Sequence, residues 1–130
     1  MKCIALFILV LLSSCDEHFE VNELYGSYAA INYKNIFDTI QLKPQGIYRR
    51  RVFNKNTKLA LEMDGRWSLE KNTVIHFGSY FLNLDRDIIK FPALIKDTLG
   101  GGGGLLETRN RTIRFCVGYY QGENCYQKVK

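Results

Sequence analysis

The sequence predicts an all-β domain, a small antiparallel meander that closes into a barrel or a flattened β-sandwich. From Leu24 onward, apolar and polar residues alternate with a period of two rather than the helical 3.6. Turn-forming residues recur at short intervals between these alternating stretches. No segment before residue 78 carries the apolar stripe of an amphipathic helix. Together these observations exclude a helical fold class for the first half of the chain.

The first half divides into short strands joined by tight turns. The predicted strands are Gly26–Tyr33, Asp38–Leu42, Ile47–Phe53, Lys58–Met63, Arg66–Glu70 and Thr73–Phe77. The predicted connections are Lys34-Asn35, Pro44-Gln45-Gly46, Asn54–Thr57, Asp64-Gly65 and Lys71-Asn72. Of these, Asp64-Gly65 has the strongest hairpin-turn chemistry. The side chains predicted to face the core are Ile40, Leu42, Leu59, Leu61, Met63, Trp67, Leu69, Ile75 and Phe77.

The second half is less regular. Strand patterns cover Tyr80–Leu84 and Asp87–Phe91, whereas Pro92–Leu99 fits either a strand end or a short helix. A final pair of strands is predicted at Thr112–Val117 and Cys125–Val129. The five consecutive glycines Gly100–Gly104 predict a mobile loop, because glycine loses the most backbone entropy when it is fixed.

The N-terminus has the layout of an export signal. Lys2 precedes an unbroken apolar run from Ile4 to Leu12, which is too short to form a stable membrane span. The next residues, Leu12-Ser13-Ser14-Cys15, resemble the lipobox of bacterial lipoproteins, in which a peptidase cuts before the cysteine and the cysteine carries the lipid. An ordinary secretory signal with an incidental cysteine is the alternative.

The lipobox resemblance implies a division of the chain and a location. It implies a signal peptide over residues 1–14, acylation of Cys15 with chains such as palmitate, and export to the bacterial cell envelope. The protein would then be lipid-anchored to a membrane, with the outer membrane or the cell surface favoured. Residues 15–23, the lipidated cysteine and an acidic stretch, are interpreted as a tether to a β domain over residues 24–130. The acidic residues are either a sorting signal or a solvated spacer.

Size and charge limit the class of partner. Removal of the signal peptide leaves 116 residues, enough for one domain with one modest core. The formal net charge is +5 for the whole chain, a mild excess. A nucleic-acid protein would show a denser basic stripe interleaved with exposed aromatic residues, so no nucleic-acid partner is expected.

The cysteines predict one disulfide bond. Cys3 leaves with the signal peptide and Cys15 would be blocked by lipid, so Cys116 and Cys125 remain to pair in an oxidising compartment. If they face each other across a hairpin, alternation places the bridge on the face away from Phe115, as a surface staple. A zinc site is the alternative, but it would need two further ligands, and the chain offers only His18 and His76.

A second resemblance concerns the β domain itself. Leu24-x-Gly26-x-Tyr28, Asp38-Thr39-Ile40-x-Leu42 with Gly46-x-Tyr48, and Gly65-x-Trp67-x-Leu69 are similar to the lipocalin-like domains of small bacterial lipoproteins. The resemblance covers residues 24–77 and implies a barrel that encloses a small apolar ligand. It implies no catalytic residue. The residues predicted to line the ligand are Tyr28, Leu61, Trp67, Phe77 and Tyr80.

The Arg49-Arg50-Arg51 run adds a candidate polar contact. In a strand, Arg49 and Arg51 point to one side and Arg50 to the other, with Tyr48 and Val52. Arg49 is predicted to contact an anion or carboxylate at the mouth of the pocket. The alternative is that the arginine stems lie across apolar surface with their charged ends in water.

Catalytic and metal-binding motifs are lacking in the sequence. It contains no Gly-x-Ser-x-Gly elbow, no phosphate-binding loop and no His-Glu-x-x-His helix. His76 is expected to be a half-exposed sheet residue. We therefore expect a non-enzymatic protein without metal or cofactor.

Two functions remain from the sequence. The first is a membrane-anchored envelope lipoprotein that binds a small apolar ligand. The alternative is an envelope protein–protein interaction factor, of the inhibitor or immunity type, that uses a basic and aromatic surface including Tyr119-Tyr120.

Overall fold

The structure is a closed barrel of eight antiparallel strands. The computed structural model describes residues 17–31, 36–78, 101–117 and 124–130. Each strand pairs with its neighbours in sequence, and the last strand pairs with the first. The strands are β1 (Gly26–Ala30), β2 (Ile36–Lys43), β3 (Ile47–Asn54), β4 (Leu59–Glu70), β5 (Val74–Phe77), β6 (Gly102–Arg109), β7 (Thr112–Cys116) and β8 (Cys125–Lys128). The predicted all-β class is confirmed, and of its two forms the barrel is the one observed.

The up-and-down strand order gives the barrel two distinct ends. One short helix, α1 (Val21–Leu24), precedes β1. The end of the barrel that carries α1 also carries the turns at 44–46, 71–73 and 110–111, and we call it the α1 end. Strands β1, β3, β5 and β7 end at the opposite end.

The predicted alternation positions most of the core correctly. The buried apolar side chains include Tyr28, Ile40, Leu42, Tyr48, Val52, Leu61, Trp67, Ile75, Phe77, Leu106, Phe115, Val117 and Tyr126. Leu59 is the exception, since half of its surface is exposed. It opens β4 at the opposite end, where the pairing between β3 and β4 shifts register next to Phe53. The shift takes Leu59 off the interior wall.

The predicted turn at Asp64-Gly65 is wrong. β4 continues through both residues to Glu70, and the chain turns only at Lys71-Asn72. Asp64 pairs with Arg49 and Gly65 with Tyr48, so β3 offers partners on both sides of the expected turn. These cross-strand interactions override the local turn preference of the Asp-Gly pair.

The prediction of a mobile loop over the glycine run is also wrong for the described glycines. Gly102–Gly104 open β6 and pair with Phe77, His76 and Ile75 of β5. A Cβ atom on Gly104 would lie 2.0 Å from the carbonyl oxygen of Cys116, so β6 approaches β7 more closely than any side chain permits. Close strand approach, rather than freedom of movement, explains glycine at this position.

The Cys116–Cys125 disulfide is confirmed. The two residues are directly opposed in the pairing of β7 with β8, and the amide of Val117 donates to the carbonyl of Asn124 at 3.1 Å. Cys116 is partly exposed, but Cys125 is buried, so the expectation of a wholly superficial bridge is corrected. Cys125 lies between β7 and the continuation of β1, where the Ile31 amide donates to the Cys125 carbonyl at 2.8 Å.

The acidic N-terminal segment is part of the folded domain over its described residues. The Phe19 side chain is buried, and the Phe19 amide donates to the carbonyl of Asn72 at 2.9 Å. The Glu17 carboxylate accepts a hydrogen bond of 2.7 Å from the amide of Thr108 on β6. Residues 17–19 therefore bridge the β4–β5 turn and β6.

Several predicted features lie outside the described residues. They are the signal peptide with Cys15, Tyr33, the strands at Tyr80–Leu84 and Asp87–Phe91, the Pro92–Leu99 segment and Tyr119-Tyr120. Within the described ranges, no helix is long and apolar enough to cross a membrane.

Candidate binding site

A buried ion pair lies on the interior wall of the barrel. Asp38 enters from β2 and Arg50 from the adjacent β3, and both side chains are fully inaccessible to solvent. The guanidinium donates from Nε to Oδ1 at 3.1 Å and from Nη2 to Oδ2 at 3.0 Å. This two-point geometry fixes the plane of the arginine and is the strong form of an arginine–carboxylate contact.

Tyrosine completes the polar group. The Tyr126 hydroxyl, from β8, donates to Oδ2 of Asp38. Burial by itself lowers the pKa of Arg50, but the electrostatic effects of Tyr126 and Asp38, with the hydrogen bonds to Asp38, raise it overall. Arg50 is therefore a permanent positive charge inside the barrel. We call Asp38, Arg50 and Tyr126 the interior polar cluster.

Aromatic rings pack beside this cluster. The Phe115 ring stacks on Tyr126 with centroids 5.5 Å apart, and it also contacts Tyr28 at 5.2 Å and Phe77 at 5.7 Å. Phe77 in turn meets Tyr48 edge-on at 5.0 Å. These contacts connect strands on different sides of the barrel, so aromatic side chains occupy the described interior next to the ion pair.

The α1 end of the barrel is closed by side chains. Leu24 of α1 is fully buried, and its carbonyl accepts a hydrogen bond of 2.9 Å from the Tyr28 hydroxyl. The Trp67 indole donates to the carbonyls of Lys43 and Ile47, both at 3.1 Å, and its ring meets Tyr25 edge-on. Asp38 and Tyr126 lie instead near the first residues of β2 and β8, towards the opposite end.

The predicted ligand residues separate into interior and exterior positions. Tyr28, Leu61, Trp67 and Phe77 are all buried in the barrel. Tyr80 is outside the described residues. Arg49 points outward, where its Nε and Nη2 bind Asp64 at 2.8 and 3.1 Å. The arginine of this run that enters the interior is Arg50.

The exterior arginines line a shallow polar depression. Its volume is about 270 Å³, and its lining comprises Ser27, Thr39, Gln41, Arg49 and Arg51. Each arginine is paired across the sheet with a carboxylate of β4, Arg51 with Glu62 at 3.0 Å. The pKa of Asp64 is lowered by its hydrogen bonds to Arg49. These pairs are exposed and well compensated, so they form a balanced charged surface.

Sequence reasoning missed Asp38 and Tyr126 as members of a site. A usable signal was present, because Asp38 has the same parity as Ile40 and Leu42, and Arg50 the same parity as Tyr48 and Val52. A charged residue in phase with apolar neighbours on two adjacent strands indicates a buried pair. For Tyr126 there was no comparable signal, since its contact with Asp38 depends on closure of the barrel.

Other described side chains offer no metal centre. Within residues 17–31, 36–78, 101–117 and 124–130, no group of three His, Cys, Asp or Glu side chains is placed to hold a metal ion. His76 is half-exposed, as the sequence predicts, and lies 2.6 Å from Oε2 of Glu70. No family model matches the chain, and no curated protein or solved structure matches it at a significant level.

Proposed function

We propose that this protein is a non-enzymatic lipoprotein of the bacterial cell envelope whose lipocalin-like barrel binds a small ligand with an apolar body and a polar group. The observation that carries the proposal is the interior polar cluster, a charged pair and a tyrosine on the inner wall of a closed eight-stranded barrel. Barrels of this strand number are either filled by side chains or hold one small ligand.

The energetics of the ion pair support a role in recognition. A buried ion pair is often no more stabilising than apolar side chains of similar volume, because both charges lose their hydration. Stability alone therefore does not explain why Arg50 and Asp38 occupy the interior of the barrel. A ligand polar group next to them would meet a rigid, oriented donor and acceptor set, while its apolar part would pack against rings such as Phe115 and Phe77.

The direction of entry follows from the same geometry. Leu24, Trp67 and Tyr25 close the α1 end. Asp38 and Tyr126 lie nearer the opposite end. A ligand is expected to enter there and to place its polar group towards Asp38.

Native mass spectrometry of the full-length protein purified from its own host tests the proposal. We expect a retained small molecule, and we expect host lipid extract to raise the melting temperature. Tyr126→Phe should reduce this rise, whereas Thr39→Val on the exterior should leave it unchanged. The absence of both a retained molecule and a melting shift in wild-type protein would refute ligand binding.

One observation favours the alternative function, an envelope protein–protein interaction factor. The ring contacts of Phe115 show that side chains fill part of the interior, as expected of a barrel that serves as a scaffold. Its exterior carries Arg49 and Arg51 and the exposed ring of Phe37. Crosslinking in intact cells would then recover one envelope protein, and Arg49→Glu with Arg51→Glu would abolish that crosslink.

A further inference from the structure

The lipid anchor and the barrel are separated by very little chain. Glu17 is fixed to β6 through the Thr108 amide, and Phe19 is buried. Two residues of extended chain span at most about 7 Å. The backbone of Cys15 would thus lie within this distance of Glu17, so its lipid would enter the bilayer on the side of the barrel where residues 17–19 cross from the β4–β5 turn to β6.

An exposed leucine and two basic side chains lie on that side. Leu105 is 66% exposed, and it lines a surface cleft of about 540 Å³ together with Lys71 and Glu17. Arg109 follows Leu105 by four residues on β6, so both point to the outside of the barrel nearer the α1 end. We call Lys71, Leu105 and Arg109 the docking face.

The two basic side chains of this face lack ion-pair partners in the described part of the chain. Within the described residues, neither Lys71 nor Arg109 has an ion-pair partner. Of the neighbouring acids, Glu107 pairs with Arg114 at 3.4 Å, whereas Glu17 accepts from the Thr108 amide and keeps its negative charge. An exposed apolar side chain flanked by basic residues that are free to contact phosphate fits the headgroup region of an anionic membrane.

We infer that the docking face rests on the anionic headgroups of the membrane that carries the Cys15 lipid, so that the barrel lies on the bilayer with its opposite end directed away from it. The inference depends on the anchor in the proposed function and goes beyond it by fixing the orientation of the domain. Leu105 enters the interface, while Lys71 and Arg109 contact lipid phosphates.

Quenching of an introduced tryptophan by brominated lipids tests this orientation in the full-length lipidated protein. Leu105→Trp reports on the docking face, and Leu59→Trp, at a position that is 50% exposed at the opposite end, is the control. Native Trp67 contributes the same background to both. In vesicles of brominated phosphatidylcholine and phosphatidylglycerol, Leu105→Trp should be quenched well beyond wild type and Leu59→Trp should not.

Charge variants separate the headgroup contact from the anchor. In the Leu105→Trp protein, each basic side chain removed should lower the docking equilibrium about fivefold, so Lys71→Gln with Arg109→Gln should abolish the extra quenching. Lys55→Gln with Lys58→Gln, the same charge change at the opposite end, should leave it intact. Omission of phosphatidylglycerol should also abolish the extra quenching, as Lys71→Gln with Arg109→Gln does.

The outcomes are distinguishable. Equal quenching at positions 59 and 105, in protein whose mass shows acylated Cys15, would refute the docking face and leave the anchor standing. Quenching unaffected by phosphatidylglycerol would refute headgroup recognition. A mass without acyl chains would remove the anchor and this inference together.

Discussion

At the scale of single residues, Arg49 and Arg50 are identical neighbours whose side chains lie on opposite sides of the barrel wall. Arg49 is 36% exposed and binds Asp64 in water, whereas Arg50 is fully buried and binds Asp38. An exposed pair is screened by solvent and contributes little to stability. Removal of one partner from a buried pair leaves an uncompensated charge in a medium that solvates it poorly.

Arg50→Met should therefore destabilise the protein far more than Arg49→Met. We expect Arg50→Met to lower the free energy of unfolding by about 3–5 kcal/mol, because Asp38 stays buried without its cation. Arg49→Met should leave the urea midpoint almost unchanged. Similar midpoints for the two variants would contradict the burial of the Asp38–Arg50 pair.

Tyr28 predicts a pH dependence of stability at high pH. Burial raises the pKa of Tyr28 above the ordinary value of 10.0, so the unfolded chain loses the phenolic proton at a lower pH than the folded one. The stability that depends on this proton is complete below pH 10 and decreases as the pH rises towards the folded pKa. Tyr28→Phe should reduce this loss of stability between pH 10 and 11, measured by urea denaturation at each pH. An unchanged slope would show that Tyr28 does not carry it.

At the scale of elements, β6 depends on glycine for its contact with β7. An added Cβ at Gly104 would lie 2.0 Å from the backbone of Cys116, whereas at Gly103 it would lie 2.8 Å from the His76 side chain and 3.1 Å from the nearest backbone atom. At Gly78 the nearest atoms would be 3.7 Å away. Backbone atoms cannot move aside by a change of rotamer, as a side chain can. The three positions should therefore differ in how well they tolerate alanine.

Alanine substitution at these glycines should give a graded loss of stability. We expect Gly104→Ala to be the most destabilising, by several kcal/mol, because β6 and β7 must separate. Gly103→Ala should have a smaller effect and Gly78→Ala almost none. Thermal melts of the three variants provide the measurement, and the opposite order would refute the close approach of β6 to β7.

The β7–β8 hairpin depends partly on its disulfide. Loop-closure entropy for a bridge of this sequence separation, nine residues, predicts a stabilisation of about 2.5 kcal/mol. Reduction, or Cys116→Ala with Cys125→Ala, should lower the melting temperature while the barrel still forms, because Tyr126 and Phe115 continue to pack. Free-thiol titration of oxidised protein should find none at these two positions. Complete unfolding on reduction would show that the bridge, rather than the core, holds the hairpin.

At the scale of the whole molecule, the N-terminal segment closes the barrel at the α1 end. Phe19 and Leu24 join the same apolar core as residues from all eight strands, and the Tyr28 hydroxyl donates a buried hydrogen bond to the Leu24 carbonyl. Residues before the first strand are therefore part of the cooperative unit. Their removal should destabilise the whole barrel.

Phe19→Ala should destabilise the domain by about 3–5 kcal/mol, since it leaves a cavity under residues 17–19. Val21→Ala, at an exposed position of α1, is the matched control and should have little effect. Chemical denaturation gives both values. Equal stability of the two variants would show that the segment packs weakly. Residues 17–19 would then not hold Cys15 close to the docking face.

The sequence predicted the strands that alternate clearly and failed where long-range contacts compete with local preference. Period two is a local property of an extended chain, and it correctly places Ile40, Leu61, Ile75 and Phe77 in the interior. The Asp64-Gly65 pair predicts a turn, because its local chemistry contains no information about the partners that β3 offers to both residues. The interior polar cluster needed three strands to be placed next to one another.

Sequence alone is sufficient to predict the all-β class, the register of the Cys116–Cys125 pair and most of the inward-facing side chains. Each of these depends on alternation or on short sequence separations. Tertiary structure alone decided that the barrel closes, that Gly104 lies against Cys116, and that Tyr126 reaches Asp38. Asp38 and Tyr126 are 88 residues apart, and only the pairing of β8 with β1 brings them together, so no local pattern carries that information.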